Sequence, residues 1–503
     1  MHLRTFLAVA AAKAALTACH LKGRPGSSLP GRAALKIDPH IIAPLAAQVR
    51  RGIIVTCGTN GKTTTNNLLC SALEAQGFRV VSNRLGANMM EGVAAALATA
   101  ASPFGHLDAD YACLEVDEAS SVHVLGDLHP DYMILTNLFR DQLDRYGEID
   151  LTMKALEKAI CRAPDMTLII NGDDPLTAFL SKKSGRRVVS FGVSEKVSEE
   201  IPEKVSDKKP SENAGHAGAS GEVREGRFCE NCGAPLQYDF YHFSQLGIYH
   251  CPSCGFKRPA INYDASGIRL SPKLSFGIRE ANASGALPPS SAEREAGSER
   301  TMVRATPAPS SAVQEAGSLS ARFTSSLTGF YNIYNILAVY SVLREMNLPT
   351  DKFGDVLRDF KPQFGRGEIF HAGAEGRQRV LLNLAKNPAG FNQNISAMLQ
   401  DRSPKDLIIV INDNAQDGRD VSWLWDVDFD RLADETIRSI TVSGLRAPDM
   451  QLRLKYVEIG SDSAPSVEEA IDRRLSLGCE NLYVLVNYTA LYEAHEYLKG
   501  IQK

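Results

Sequence analysis

The chain has 503 residues, too many for one hydrophobic core, and at roughly 100–200 residues per domain it calls for about three domains. Its 44% hydrophobic and 23% charged residues and its formal charge of −4 are those of an ordinary globular protein without a polybasic signature, which argues against nucleic acid as a partner. Ten cysteines are few for a disulfide scaffold of this length, so a reducing, cytoplasmic setting is the simpler reading.

The chain starts "MHLRTFLAVAAAKAALTACHLKGR". Lys13 interrupts the alanine-rich run, so the stretch reads as an amphipathic or packed helix in an N-terminal helical segment, residues 1–48, and not as a signal peptide. No run approaches the roughly 18 uninterrupted apolar residues of a membrane span.

Residues Val55 to Leu69, "VTCGTNGKTTTNNLL", give a β-branched strand, a glycine-bounded turn, Lys-Thr and then helical spacing. Gly58 and Gly61 let the backbone turn its N–H groups inward, and the following helix presents its positive end to an anion. Lys62 is placed to reach the outer phosphates of a nucleotide and Thr63 to put a hydroxyl on Mg²⁺. The spacing G-x-x-G-K-T matches the Walker pattern in part. From Gly52 to Val193 short apolar runs ("GIIVTC", "YACLEV", "YMILTN", "MTLIIN", "RRVVSFGV") alternate with helical segments, which predicts a largely parallel sheet covered on both faces.

Residues 194–226 are polar and read as a loop. Next come Cys229, Cys232, Cys251 and Cys254, spaced C-x2-C, eighteen residues, C-x2-C. Two such turns close a tetrahedral Zn²⁺ site with no open position, and in a module as small as 227–258 metal binding supplies about 10–16 kcal/mol of folding free energy. His242 and His250 stand near enough to substitute as ligands, and a dithiol redox role is the competing reading. Residues 281–322 are a low-complexity insertion with an imperfect repeat, "PSSAEREAGS" and "PSSAVQEAGS". Helical spacing returns in "LTGFYNIYNILAVYSVLREM". A final α/β region, residues 363–503, carries the candidate strands "RVLLNL", "LIIVIND", "SITVSG", "LKYVEI" and "NLYVLVN".

Taken in order, "GTNGKTTT", "LEVDEAS", "TNLFRDQLDRYGEID", "INGDDP", "GFYNIYNILA" and "FGRGE" resemble the central domain of the Mur ligases, here residues 49–362. The four-cysteine insertion, "NLAKNPAGFNQ" and "NDNAQDGRDVSWLWD" narrow the resemblance to the MurT family, ligase subunits of lipid II isoglutaminyl synthase. It implies an α/β fold: a P-loop Mur ligase-type central domain with a parallel-rich sheet, an inserted zinc ribbon and a C-terminal Rossmann-like domain. It further implies ATP, Mg²⁺ and Zn²⁺, a GatD-type glutamine amidotransferase partner, and lipid II as a membrane-linked substrate at the inner face of the cell membrane.

By the same resemblance Thr59, Asn60, Gly61, Lys62, Thr63 and Thr64 hold the phosphates, and Glu115 is the Mg²⁺-linked carboxylate, with Asp117 and Glu118 as alternatives. Asn137, Asn332, Asn335 and Arg366 match nucleotide-site positions, and Asp420 completes the partner's Cys-His pair, with Asp413 and Asp417 as rivals. Asp173 and Asp174 are as well suited to capping as to binding. The chain departs from other Mur ligases in carrying Asn383 and Lys386 in "NLAKNP", in offering only Lys154 and Lys158, out of register, for the lysine that many of them carbamylate, and in having no sizeable domain before Gly52 for a UDP-sugar. Two other functions compete: a stand-alone amino-acid ligase of the folylpolyglutamate type, and a P-loop switch with a nucleic-acid-binding ribbon around "FKRP".

Overall fold

The structure is a computed structural model and describes residues 3–21, 26–84, 87–140, 149–197, 225–271, 273–281, 319–362 and 364–502. Most of the polar loop read at 194–226, the low-complexity insertion with its repeat, and the "RYGE" part of the turn after Phe139 lie outside these residues.

Helices Leu3–Leu21, Leu29–Ile37 and Ile42–Ala46 lead into the first sheet. Its strands are β1 (Gly52–Cys57), β2 (Val80–Ser82), β3 (Tyr111–Glu115), β4 (Tyr132–Leu135), β5 (Thr167–Asn171) and β6 (Val188–Val193), all mutually parallel. The chain then forms an antiparallel hairpin, β7 (Gln237–Phe243) and β8 (Leu246–His250), and returns to the sheet as β9 (Tyr263–Arg269), β10 (Ser275–Glu280) and β11 (Leu319–Thr324). Among the described residues the sheet has nine strands in the order β11-β10-β9-β6-β5-β4-β1-β3-β2. β9 joins β6 in parallel, and β9 to β11 run antiparallel to one another.

β1 lies between β3 and β4 and is buried along its whole length, which is why it reads as an unbroken apolar run. Ile53 and Val55 pack toward Val93, Leu97, Val124 and Leu156 on one face. Ile54 packs toward Leu68, Leu69, Ile333 and Leu337 on the other. The helices Lys62–Glu74 and Tyr331–Glu345 are thereby fixed side by side over the end of β1.

The second sheet contains β12 (Arg366–Ala372), β13 (Gln378–Leu384), β14 (Lys405–Val410), β15 (Ile437–Ser443), β16 (Asp462–Ser463) and β17 (Asn481–Val486). Its order is β12-β13-β17-β14-β15-β16, parallel except for β12 against β13. Helices Pro388–Gln400 and Ala447–Tyr456 cover one face, and Val467–Ser476 and Tyr488–Ile501 the other. One candidate strand is corrected. "LKYVEI" is the end of the helix Ala447–Tyr456 and the turn after it. Met450, Arg453 and Leu454 face inward at helical spacing, and the partly buried Val457 and Ile459 give the run its strand-like composition.

The four-cysteine module is part of the central core and not an appendage. Cys229, Tyr249, Cys251 and Phe256 pack with the residues beneath β5, and Phe256 meets Phe179 edge to face. Asp173 is the tie: its buried carboxylate accepts from Arg258 Nε at 2.6 Å, Tyr334 OH at 2.8 Å and the Val193 N–H at 2.8 Å. Asp174 caps the helix Pro175–Ser184 by accepting from the Leu176 N–H and also accepts from Leu138 N–H. Replacing Asp173 by Ala strands a buried guanidinium, and the expected cost is about 3–5 kcal/mol in urea unfolding. Arg344→Ala, at an ion pair with Glu280 on the surface, is expected to cost less than about 1 kcal/mol; equal effects from the two would contradict the assignment.

Candidate functional site

The turn after β1 depends on two left-handed glycines, Gly58 at φ +118° and Gly61 at φ +85°. A Cβ on Gly58 would run into Thr136, and one on Gly61 into the Asn335 amide, so neither position admits a side chain. The loop is tied down from behind: the Thr59 N–H donates to Asn137 O at 2.8 Å, the Asn60 N–H to Asn137 Oδ1 at 2.9 Å, and Thr136 Oγ1 donates to Asn60 O at 2.8 Å. Thr59 Oγ1 donates to Phe139 O at 3.0 Å.

Lys62 is buried and curls over the loop, donating to Gly58 O and, at 3.1 Å, to Glu118 Oε1. Burial pulls its pKa down, but Glu118, Glu115 and Asp117 outweigh that and hold the ammonium above the ordinary lysine value. Thr63 Oγ1 donates to Glu115 Oε2 at 2.8 Å, and Asn88 Nδ2 donates to Glu115 Oε1 at 3.0 Å. Asn83 clamps the Glu115 backbone on both sides, accepting from its N–H at 2.8 Å and donating to its carbonyl at 2.7 Å. A hydroxyl beside a carboxylate is a hard-oxygen set of the kind Mg²⁺ takes, so Thr63 and Glu115 fit that ion. Asp117 instead caps the helix Glu118–Leu128, accepting from the Ser120 N–H.

The C-terminal domain closes the cleft. Arg366 is held by three left-handed residues, Phe364, Gly365 and Gly367, and its Nη2 donates to Thr63 Oγ1 at 3.3 Å. Asn387 pairs with Asn60 across the domain boundary, with amide contacts of 3.2 and 3.4 Å. Thr59 to Thr64, Glu115 and Arg366 therefore line one cleft, joined by Asn383, Lys386 and Tyr488. Asn137, Asn332 and Asn335 stand behind the loop: Asn335 accepts from Thr65 Oγ1 at 3.2 Å and donates to Asn332, which donates to Thr328 O. Lys154 and Lys158 are exposed on the helix Ile149–Cys161 and line no part of the cleft.

Sequence reasoning did not give Asn83 and Asn88 as the brace of Glu115, and it gave Glu118 only as a rival metal ligand. The cap signal in "VDEAS" marks the start of the helix that carries Glu118. No local pattern marks the asparagines.

Around the four cysteines every Sγ lies within 4.8 Å of the others, with Cys229 to Cys254 and Cys232 to Cys251 at 3.5 Å. Four thiolates at about 2.3 Å from a tetrahedral Zn²⁺ are about 3.8 Å apart, so the set fits that ion. Each C-x2-C turn ends on a left-handed glycine, Gly233 or Gly255, whose N–H returns to the carbonyl of the first cysteine. His242 contacts Val193 O and His250 contacts Gln237, so neither belongs to the cluster.

Asp420 is partly exposed at the edge of the C-terminal domain and accepts from the Ser422 N–H at 2.8 Å, a bond that holds its carboxyl below the usual range. Its rivals are engaged within the chain. Asp417 is buried against the N–H and hydroxyl of Thr489, and Asp413 pairs with Arg446 at 3.3 Å.

Residues 55–220 match the family model of the Mur ligase middle domain, and residues 384–491 that of the MurT ligase C-terminal domain. The chain is 34% identical to the lipid II isoglutaminyl synthase (glutamine-hydrolyzing) subunit MurT of Staphylococcus aureus, over 91% of its own length and 89% of that protein. It is 30% identical to the subunit of the same name from Streptococcus pneumoniae, over 100% of its length and 98% of the relative's. Among solved structures, a pseudomurein peptide ligase type C from Methanothermus fervidus superposes with a TM-score of 0.58 at 19% identity, covering 91% of this chain and 80% of that one, which shows a common fold.

Purified chain is expected to carry stoichiometric zinc by elemental analysis. Cys251→Ser is expected to lose that metal and to lower the thermal midpoint by about 5 °C or more. Wild type that purifies without zinc, or a variant that melts at the same temperature as zinc-loaded wild type, would contradict the zinc assignment.

Proposed function

The chain belongs to the MurT family of Mur ligase-type subunits, and from that premise we propose that it is the ATP-dependent subunit of a glutamine-driven amidating ligase. Its substrate is the α-carboxylate of D-glutamate in the stem peptide of lipid II, and its product is the D-isoglutamine amide. The observation that carries the reading is the similarity over nearly the whole chain, C-terminal domain included, to subunits named for that reaction.

The chemistry needed is activation of a poor acyl donor. A carboxylate oxygen attacks the γ-phosphorus of ATP, ADP leaves, and the acyl phosphate that forms carries a good leaving group. Ammonia then adds to the acyl carbon, inorganic phosphate departs with the C–O electron pair, and the nitrogen gives up one proton to the departing phosphate or to water, leaving the amide. In this reading the backbone of Thr59 to Thr64 and the Lys62 ammonium hold the phosphates and oppose the negative charge that accumulates on them. Arg366, on the opposite wall, adds a second cation. Thr63 and Glu115 would hold Mg²⁺, which when bound offsets phosphate charge. Asn137, Asn332 and Asn335 act through the loop by fixing its shape. In this reading the Lys62 ammonium exchanges its bond to Gly58 O for the phosphates while Glu118 keeps it charged.

Ammonia comes from a GatD-type partner, a glutamine amidotransferase with a nucleophilic cysteine and a histidine base. Asp420 supplies the carboxylate that orients this histidine, the third role of a catalytic triad. Its partly exposed carboxylate supports this role, whereas Asp417 is buried and Asp413 already pairs with Arg446.

With purified chain alone, lipid II amidation is expected with ATP and high ammonium, and glutamine is expected to serve only when the amidotransferase is added. Asp420→Asn is expected to lower glutamine-driven turnover by at least about a hundredfold while leaving the ammonium-driven rate unchanged. Equal loss of both rates would overturn the role of Asp420, and glutamine use by the isolated chain would overturn the two-subunit reading.

A further inference from the structure

Residues 1–37 contain six Lys or Arg and no Asp or Glu, so they carry +6 in a chain whose total is −4, and the remainder carries −10. The first helix, Leu3–Leu21, buries Thr5, Ala8, Val9, Ala12 and Cys19. Its opposite side shows Leu3, Leu7, Ala10, Ala14, Ala18 and Leu21 to solvent. At 3.6 residues per turn these six fall within an arc of about 100°, along a helix about 28 Å long. Leu3 is 74% exposed, Leu7 48% and Leu21 84%, and Leu29 at the start of the next helix is 52% exposed. Arg4, His20, Arg32 and Lys36 are exposed on the same helix pair.

The platform is rigid and lies close to the cleft. Thr5 Oγ1 donates to Asp38 at 2.9 Å and Lys13 Nζ to Thr99 O at 3.0 Å. Gly31 lies so near the backbone of Glu91 that a Cβ would collide with its carbonyl. Glu91 is in the first turn of the helix Met90–Ala100, just after Asn88, which binds Glu115 in the cleft.

We propose that this helix pair is a docking surface for an anionic lipid bilayer, with the leucine row entering the headgroup boundary and the cations pairing with lipid phosphates. The alternative occupant, a second copy of the chain, would bring together two helix pairs whose exposed Lys and Arg, Arg4, Arg32 and Lys36, have no acidic residue beside them in residues 1–37, and their repulsion opposes it. An anionic surface gains from the same charge. No described helix is long and apolar enough to cross a membrane, so the attachment is to one face and reversible. The inference stands on charge and exposure and does not need the ligase reading. If that reading holds, the surface brings the cleft to a lipid-linked substrate.

The test is co-sedimentation of the full chain with phosphatidylglycerol–phosphatidylcholine vesicles and with pure phosphatidylcholine vesicles, without nucleotide. Binding is expected to the anionic vesicles only and to fall with added salt. The double variant Arg32→Glu, Lys36→Glu is expected to weaken it at least about twentyfold, at about fivefold per cation. Leu7→Gln with Leu21→Gln, at exposed positions, is expected to weaken it with an unchanged thermal midpoint. Lys62→Ala is expected to bind vesicles as the wild type does, which separates failure of this inference from failure of the ligase reading. Equal binding to neutral vesicles, or wild-type binding by both surface variants, would overturn the proposal. So would a wild-type dimer in light scattering that the leucine variant dissolves without changing vesicle binding.

Discussion

An ammonium group that is 7% exposed must find its counter-charge inside the protein, and the central domain is arranged around that requirement at Lys62. Left unpaired, such a charge costs several kcal/mol. It is met by Glu118 directly and by Glu115 and Asp117 at longer range. Those residues are placed by the end of β3 and the helix that follows, while Lys62 is placed by the end of β1, its parallel neighbour. The register of two buried strands therefore fixes the electrostatics of the loop.

The cleft is complete only with the second domain. Phe364, Gly365 and Gly367 take left-handed conformations that set Arg366 against Thr63. Asn387 has two tasks at once: it caps the helix Pro388–Gln400 by accepting from the Gly390 N–H at 2.8 Å, and it pairs with Asn60 of the loop. The loop and the start of a C-terminal helix thereby share one side chain. On the opposite flank Asp173 joins the cysteine module, the helix Tyr331–Glu345 and the sheet, so that module is anchored to the domain that carries the loop.

Much of this was legible in the sequence where burial is two-sided. β1 and β3 to β6 are mostly apolar and almost wholly buried because helices cover both faces of the sheet, and the four cysteines announce themselves by spacing. The loop was legible because its glycines and Lys62 have local jobs. What the sequence did not give depends on distant partners. Nothing near Asn88 says that it will meet Glu115, 27 residues away in the chain. Asn332 and Asn335 read as one helix face, but only the fold reveals that this face meets Thr65 behind the loop. "LKYVEI" misled because its Tyr456, Val457 and Ile459 have strand-forming side chains, whereas the apolar face of the preceding helix decides the local structure.

The central claim is that the loop after β1 grips a nucleoside triphosphate chiefly through the Lys62 ammonium. Calorimetric titration of Mg–ATP into the full chain and into Lys62→Ala tests it directly. The account predicts measurable binding by the wild type and a loss of at least about a hundredfold in affinity, close to 2.7 kcal/mol, in a variant that keeps its fold. A folded variant that binds Mg–ATP as tightly as the wild type would contradict it.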